Sequence, residues 1–124
     1  NDQLILDALK RGAVGCVTGV VNSFAPTAVD IIDTYSQGDI NRAQAAQNQM
    51  TAIWRVLEKY QPYTVLLKGL NAKRYQDAGW LDVRPPLDPI SISSLQRLIS
   101  ELREIDLPKY AHWLYEPGFP FTSN

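Results

Sequence analysis

A chain of 124 residues, 45% hydrophobic and 20% charged, has the size and composition of one ordinary globular domain, which excludes low complexity and intrinsic disorder. Twelve basic and thirteen acidic residues leave a formal net charge of −1 with no long block of one sign, so no nucleic-acid partner is expected. The single cysteine, Cys16, cannot form an internal disulfide, and no secretory signal is visible, which together favour a cytoplasmic setting.

Taken in order, Asp2 is placed to cap a helix that runs to about Lys10, with Leu4, Ile5, Ala8 and Leu9 as its apolar face and Gly12 ending it. From Ala13 to Val21 the chain is apolar, rich in valine and spaced by glycines, and this run fits a strand buried on both faces. It is the one expected strand. A strand of this kind needs neighbours for its backbone N–H and C=O groups, and the sequence offers no second one, so the chain reads as a piece of something larger. A membrane span over the same region is opposed by Asn22, Ser23, Pro26 and Asp30, and no membrane partner is expected.

Ser23 to Pro26 marks the start of a helix reaching about Gln37, with the proline tolerated in the first turn. Gly38 and Asp39 then supply a C-terminal and an N-terminal cap in succession, so two helices meet at a sharp turn. In the second of them Ala43, Ala46, Met50, Ile53, Leu57 and Tyr60 recur at spacings of three and four and form one packing stripe. After Pro62 a helix is expected from about Tyr63 to Ala78, carrying Val65, Leu66, Leu70 and Tyr75 and ending at Gly79. Residues Trp80 to Pro89 are expected to be extended, because each residue ahead of a proline is pushed out of the helical region; a stiff connector and a proline-rich ligand for an SH3-type domain both remain open. Ser91 caps a last long helix with Leu95, Leu98, Ile99, Leu102 and Ile105 inward. The tail holds Tyr110, Trp113, Leu114, Tyr115, Phe119 and Phe121, too many aromatic and apolar residues for a solvated terminus, and is expected to pack on a missing part or another subunit.

The chemistry-bearing residues are sparse. Gly12, Gly15 and Gly19 match neither the dinucleotide nor the P-loop spacing. His112 stands without cysteine or carboxylate at ligand spacing, so no metal site and no cofactor are expected. Lys68, flanked by Leu66, Leu67 and Leu70, has the setting of a lysine whose stem lies over the core with its ammonium in water; a desolvated, Schiff-base-forming amine is the sharper reading of the same residue.

The order of Asp2, Leu9 to Gly12, and Gly15-Cys16-Val17-Thr18-Gly19-Val20-Val21-Asn22 resembles the seventh helix and eighth strand of the dihydrodipicolinate synthase and N-acetylneuraminate lyase family. Gln37-Gly38-Asp39 followed by Ala43, Gln44 and Gln47, then Leu67-Lys68-Gly69-Leu70 to Gly79, and finally Val83-Arg84-Pro85-Pro86-Leu87-Asp88-Pro89, resemble its later segments in order, over about Asn1 to Leu107. The resemblance implies the C-terminal portion of a (β/α)₈ barrel, its last helix, strand and helix in residues 1–37, followed by a C-terminal helical region in 38–107 and an aromatic tail in 108–124. It implies a class I lyase or aldolase, or a synthase or dehydratase, that joins pyruvate or another 2-oxo acid to a lysine as a Schiff base, and a homo-oligomer, tetramer or dimer. That lysine and its tyrosine partner would precede Asn1, so no catalytic residue is expected in the chain. Carried over residue by residue, Asp2 faces substrate, Gln3 stands where the sialic acid lyases have a glutamate that contacts substrate hydroxyls, Val17 presents its carbonyl to the reacting centre, and Thr18 and Gly19 help select substrate. Gln3 and Gly19 depart from the sialic acid lyase pattern. The other functional class left open is a non-catalytic helical interaction or oligomerisation module with the apolar stretch and aromatic tail as its binding surface.

Overall fold

The computed structural model describes residues 1–119 and contains six α-helices and three 3₁₀ turns among them. The helices are α1 (Ile5–Lys10), α2 (Val21–Ser36), α3 (Ile40–Leu57), α4 (Tyr63–Tyr75), α5 (Ile92–Arg103) and α6 (Pro108–Ala111). The chain divides into two compact units, Asn1–Arg55 and a second beginning at Val56.

In the first unit Asn1, not Asp2, caps the opening turn, its Oδ1 accepting from the Gln3 amide at 3.0 Å. A 3₁₀ turn over Asp2–Leu4 leads into α1, which packs against α2. Starting with a 3₁₀ turn rotates the helical face, so Ile5, Leu6 and Leu9 are buried while Leu4 is 52% exposed. Gly12 ends α1 at φ +97°, a left-handed conformation that glycine adopts without Cβ strain.

The expected strand from Ala13 to Val21 is not formed. Residues 13–18 have no regular structure, Val14 is 98% exposed and Val17 101%, and among the described residues there is no strand. The cause is the one already visible in its composition: a β-segment is stabilised by pairing with other strands, and the described residues provide no ladder for it to join. The C-terminal end of the run, Val21, is absorbed into α2 instead. Cys16 is half-buried in this irregular segment.

Helix α2 is interrupted at Phe24, whose φ of −129° and ψ of 37° are not helical. Pro26 accounts for the break, since its ring has no N–H to donate and would collide with the carbonyl four residues earlier; the kink leaves the proline in the first turn of the regular helix that follows. That helix buries Phe24, Thr27, Ala28, Ile31 and Thr34, a spacing of three and four. Gly38, at φ +78°, turns the chain, and Asp39 Oδ1 accepts from the Arg42 amide at 3.1 Å to start α3. The α3 stripe is as the periodicity predicts: Ala43, Ala46, Met50, Ile53 and Leu57 are all buried, and Tyr60, beyond the helix end, is half-buried.

In the second unit α4 ends earlier than Gly79 implies. Gln76 takes the left-handed conformation at φ 53°, and its Nε2 donates to the Lys73 carbonyl at 2.7 Å, so a side chain satisfies a helix-end acceptor that glycine leaves to the backbone. Gly79 lies instead in a 3₁₀ turn over Ala78–Leu81. Trp80 is therefore not extended; it stacks on Tyr75 with ring centroids 5.6 Å apart. Pro85 and Pro86 sit in a turn closed by the Leu87 amide on the Arg84 carbonyl at 3.0 Å, which interrupts the expected continuous extended connector. Ser91 caps α5 as expected, its Oγ accepting from the Ser94 amide at 3.1 Å. Leu95, Leu98, Ile99 and Leu102 are fully buried, while Ile105 lies past the helix end and is half-buried.

The tail also departs from expectation. It forms α6 and a 3₁₀ turn over His112–Leu114 that packs on α4 and α5, so Trp113 and Leu114 are buried by this chain's own helices. Tyr110 and Phe119 are half-buried and Tyr115 is exposed, whereas Phe121 lies outside the described residues. No helix among the described residues is long and apolar enough to cross a membrane.

Candidate functional site

The residues that the family resemblance nominates lie on the opening 3₁₀ turn and on the segment between α1 and α2. The opening turn buries Asp2 to 6% exposure, and its Oδ1 accepts from the Val20 amide at 3.2 Å. Because α2 begins at Val21, this carboxylate stands at the positive end of the helix and satisfies one of its unpaired N–H groups. Asn22 closes the same corner, its Nδ2 and its backbone N–H both donating to the Gly19 carbonyl. Asp2 and the Gly19-Val20 corner are thus brought together.

The other nominated residues are not gathered onto that point. Val17 is fully solvent-exposed, and Gln3 is half-buried in the capping turn. Thr18 is half-buried, and its Oγ1, itself shielded from solvent, has no hydrogen-bond partner among the described residues. Cys16 is held in its thiol form: burial pushes its pKa up, and the Asp2 charge adds to the effect. The site as it stands offers the Asp2 carboxylate at the start of α2 and the shielded Thr18 hydroxyl on an irregular, largely exposed apolar segment. Among the described residues no group of three or more His, Cys, Asp and Glu side chains could hold a metal ion. His112 is exposed, its Nε2 3.7 Å from Glu116 Oε1, and Lys68 is half-buried, its ammonium donating to the Asp82 carbonyl.

Three polar features were not singled out from sequence. Gln47, 5% exposed, accepts from the Leu6 amide at 2.9 Å through Oε1 and donates to the Asp2 carbonyl at 3.0 Å through Nε2, which fixes the main chain on both sides of the opening turn. Its signal was its register, one residue after the buried Ala46 on the inner side of α3. Lys73, not Lys68, is the buried lysine of α4, at 0% exposure. It follows Leu66 and Leu70 at i+7 and i+3, on the apolar stripe, and that spacing was visible in the sequence.

The third is a cluster in the second unit: Glu101 accepts from Tyr60 at 2.5 Å and from Lys59 at 2.7 Å. The Tyr60 hydroxyl is pushed up to about 12, first by burial and then by its hydrogen bond to the Glu101 carboxylate, while Lys59 and Tyr60 together lower the Glu101 pKa. Folding therefore favours the protonated phenol. Its contribution to stability is full below the ordinary tyrosine value of 10 and is lost as the pH rises from there to about 12. Glu101 acts in the opposite sense, contributing above the ordinary carboxylate range and losing that contribution as the pH falls through its lowered value. Tyr60→Phe should consequently flatten the alkaline fall in stability between pH 10 and about 12, measured as the urea midpoint of wild type minus variant. An unchanged alkaline slope would mean that the phenol does not titrate differently in the folded state.

Two helices packed on each other and joined by an apolar, glycine-spaced segment that pairs with no strand among the described residues fit α/β architecture, in which such a segment belongs to a sheet. The chain belongs to the dihydrodipicolinate synthetase family, whose model matches residues 1–105. It is 30% identical over 107 residues to uncharacterized DapA-like lyases from two strains of Halobacterium salinarum, a match covering 86% of this chain and 34% of each of those proteins. Among solved structures it is similar to the N-acetylneuraminate lyase of Proteus mirabilis, a TIM-barrel protein, with a TM-score of 0.71 and 24% identity over 86% of this chain and 35% of that one. The chain thus spans about a third of the length of these relatives.

Proposed function

We propose that the chain is the C-terminal part of a Schiff-base-forming lyase or aldolase, or of a synthase or dehydratase of the same chemistry, acting on pyruvate or another 2-oxo acid. In this reading residues 1–37 complete a (β/α)₈ barrel, residues 38–107 are the helical region appended to it, and residues 108–124 are a tail. The remainder of the barrel supplies the strands that residues 13–18 lack, together with the lysine and tyrosine of the reaction. The observation that carries the reading is the match of residues 1–105 to a lyase-containing family, joined to a β-type segment that pairs with no strand among the described residues.

The chemistry would proceed by attack of the lysine amine on the 2-oxo carbon and loss of water, giving an iminium whose positive nitrogen stabilises a carbanion equivalent at the adjacent carbon. Asp2, Gln3, Val17, Thr18 and Gly19 would shape the pocket from one side, at the C-terminal end of a barrel strand where barrel enzymes hold their substrates. With residues 13–18 drawn into a sheet, the unpartnered Thr18 hydroxyl becomes the group best suited to bind a substrate oxygen. A cytoplasmic homo-oligomer, tetramer or dimer, belongs to the same proposal.

Borohydride reduction of the complete protein in the presence of pyruvate tests it. The expected result is a stable adduct on one lysine outside these 124 residues. An adduct on Lys68 or Lys73, or none with any 2-oxo acid tried, would overturn the assignment.

A further inference from the structure

We propose that residues 107–119 form a strap, held on α4 and α5 by side chains that grip its main chain, which opens as one unit while the helices beneath it stay folded. The grip comes from both helices. Lys73 on α4 donates to the Glu116 carbonyl at 2.6 Å, and Arg103 on α5 donates through Nε to the Leu114 carbonyl at 2.7 Å. Gln76, at the end of α4, accepts from the Phe119 amide at 2.8 Å. The strap also closes on itself and on α5, with the Tyr115 hydroxyl accepting from the Leu107 amide at 2.7 Å and lying 3.3 Å from the Arg103 carbonyl. Each of these bonds joins a side chain to backbone: three helix side chains hold the strap by its main chain, and Tyr115 of the strap holds the α5 main chain in return. Its apolar contribution is Leu107, Ala111, Trp113 and Leu114, all buried.

What distinguishes this seat from ordinary core is the lysine at its centre. Lys73 has no exposed surface, its ammonium is disfavoured by burial and then by the neighbouring Arg103 charge, and Glu116 only partly offsets this. Lifting the strap returns that ammonium and the Arg103 guanidinium to water, which compensates for a share of the bonds broken. Docking is therefore weaker than the burial of Trp113 and Leu114 would make it alone, whereas the α4–α5 contact below, through Leu95, Leu98 and Leu102, holds no charge of this kind. The family match stops at residue 105, so the strap begins where the shared helices end. Opening bares two cations beside the apolar seat of Trp113.

Native-state hydrogen exchange on the complete protein tests this. The amides of Leu107, Tyr110, Ala111, Tyr115 and Phe119, all hydrogen-bonded within or to the strap, should share one opening free energy that is lower than that of the α5 amides around Leu98. Trp113→Ala should abolish the shared protection and leave the α5 amides protected. Gln76→Ala, which removes the acceptor of the Phe119 amide and with it the Nε2 bond to the Lys73 carbonyl, should speed exchange of the strap amides by at least roughly tenfold, the equivalent of one hydrogen bond, and leave the α5 amides protected. Exchange of strap and α5 amides at a common rate, loss of α5 protection in Trp113→Ala, or strap exchange unaltered by Gln76→Ala would each overturn the proposal.

Discussion

Gln47→Leu should destabilise the protein by about 2–3 kcal/mol, because it leaves the buried Leu6 amide without its side-chain acceptor and takes a hydrogen bond from the buried Asp2 carbonyl. The Leu6 amide and the Asp2 carbonyl both bond to the Gln47 side chain, at 2.9 and 3.0 Å, and Leu6 and Asp2 are 1% and 6% exposed, so water does not replace the lost amide without opening the turn. Leucine has nearly the same volume, so a cavity contributes little and the loss is one of hydrogen bonding. Gln47→Glu separates the two bonds. A carboxylate still accepts from Leu6 N but no longer donates to the Asp2 carbonyl, and it brings a buried charge, so it should be worse than leucine at neutral pH and recover as the medium is acidified. Urea midpoints at constant m give both values. A loss below about 1 kcal/mol for Gln47→Leu would mean that the opening turn is held by other contacts.

Gln47 also illustrates what a sequence displays and what it withholds. The α3 stripe from Ala43 to Leu57 was legible because helical periodicity is a local property, and the caps at Gly12, Gly38, Asp39 and Ser91 were legible because each rests on the geometry of one or two residues. The segment from Ala13 to Val21 had the composition of a strand, but strand formation is a relation between segments, and composition states only half of that relation. The end of α4 was misplaced because Gln76 adopts a conformation usually left to glycine, supported by its own side-chain bond to Lys73. The tail was read correctly as too apolar for solvent, yet its seat was not visible, since that seat is built from a buried lysine and an arginine that look like surface residues in a list. Of the nominated site, the joining of Asp2 to the start of α2 follows from spatial closeness across eighteen residues, which no local pattern encodes. The nominations themselves came from a family resemblance, and the described residues gather only Asp2 and the Gly19-Val20 corner.

Leu98→Ala should cost about 3–5 kcal/mol, toward the upper end for a buried leucine, because the seam it belongs to has little freedom to collapse. Leu98 is fully buried in α5 with Leu95, Ile99 and Leu102, and α5 packs on α4. The closeness of that packing is set by Gly69: a Cβ there would lie 2.9 Å from Ile90 Cγ2 and 3.2 Å from Leu95 Cδ1. Side chains already this near one another are not able to move much further in, so the volume vacated by Leu98 persists as a cavity, and the cost includes the lost contacts as well as the lost burial. Ile92 provides the comparison. It belongs to the same helix but is 42% exposed, so Ile92→Ala should fall below about 1 kcal/mol, and the difference between the two variants isolates the seam from helix propensity. Both are read from urea midpoints. Equal losses at the two positions would mean that α5 is held by its caps and turns and not by its apolar face.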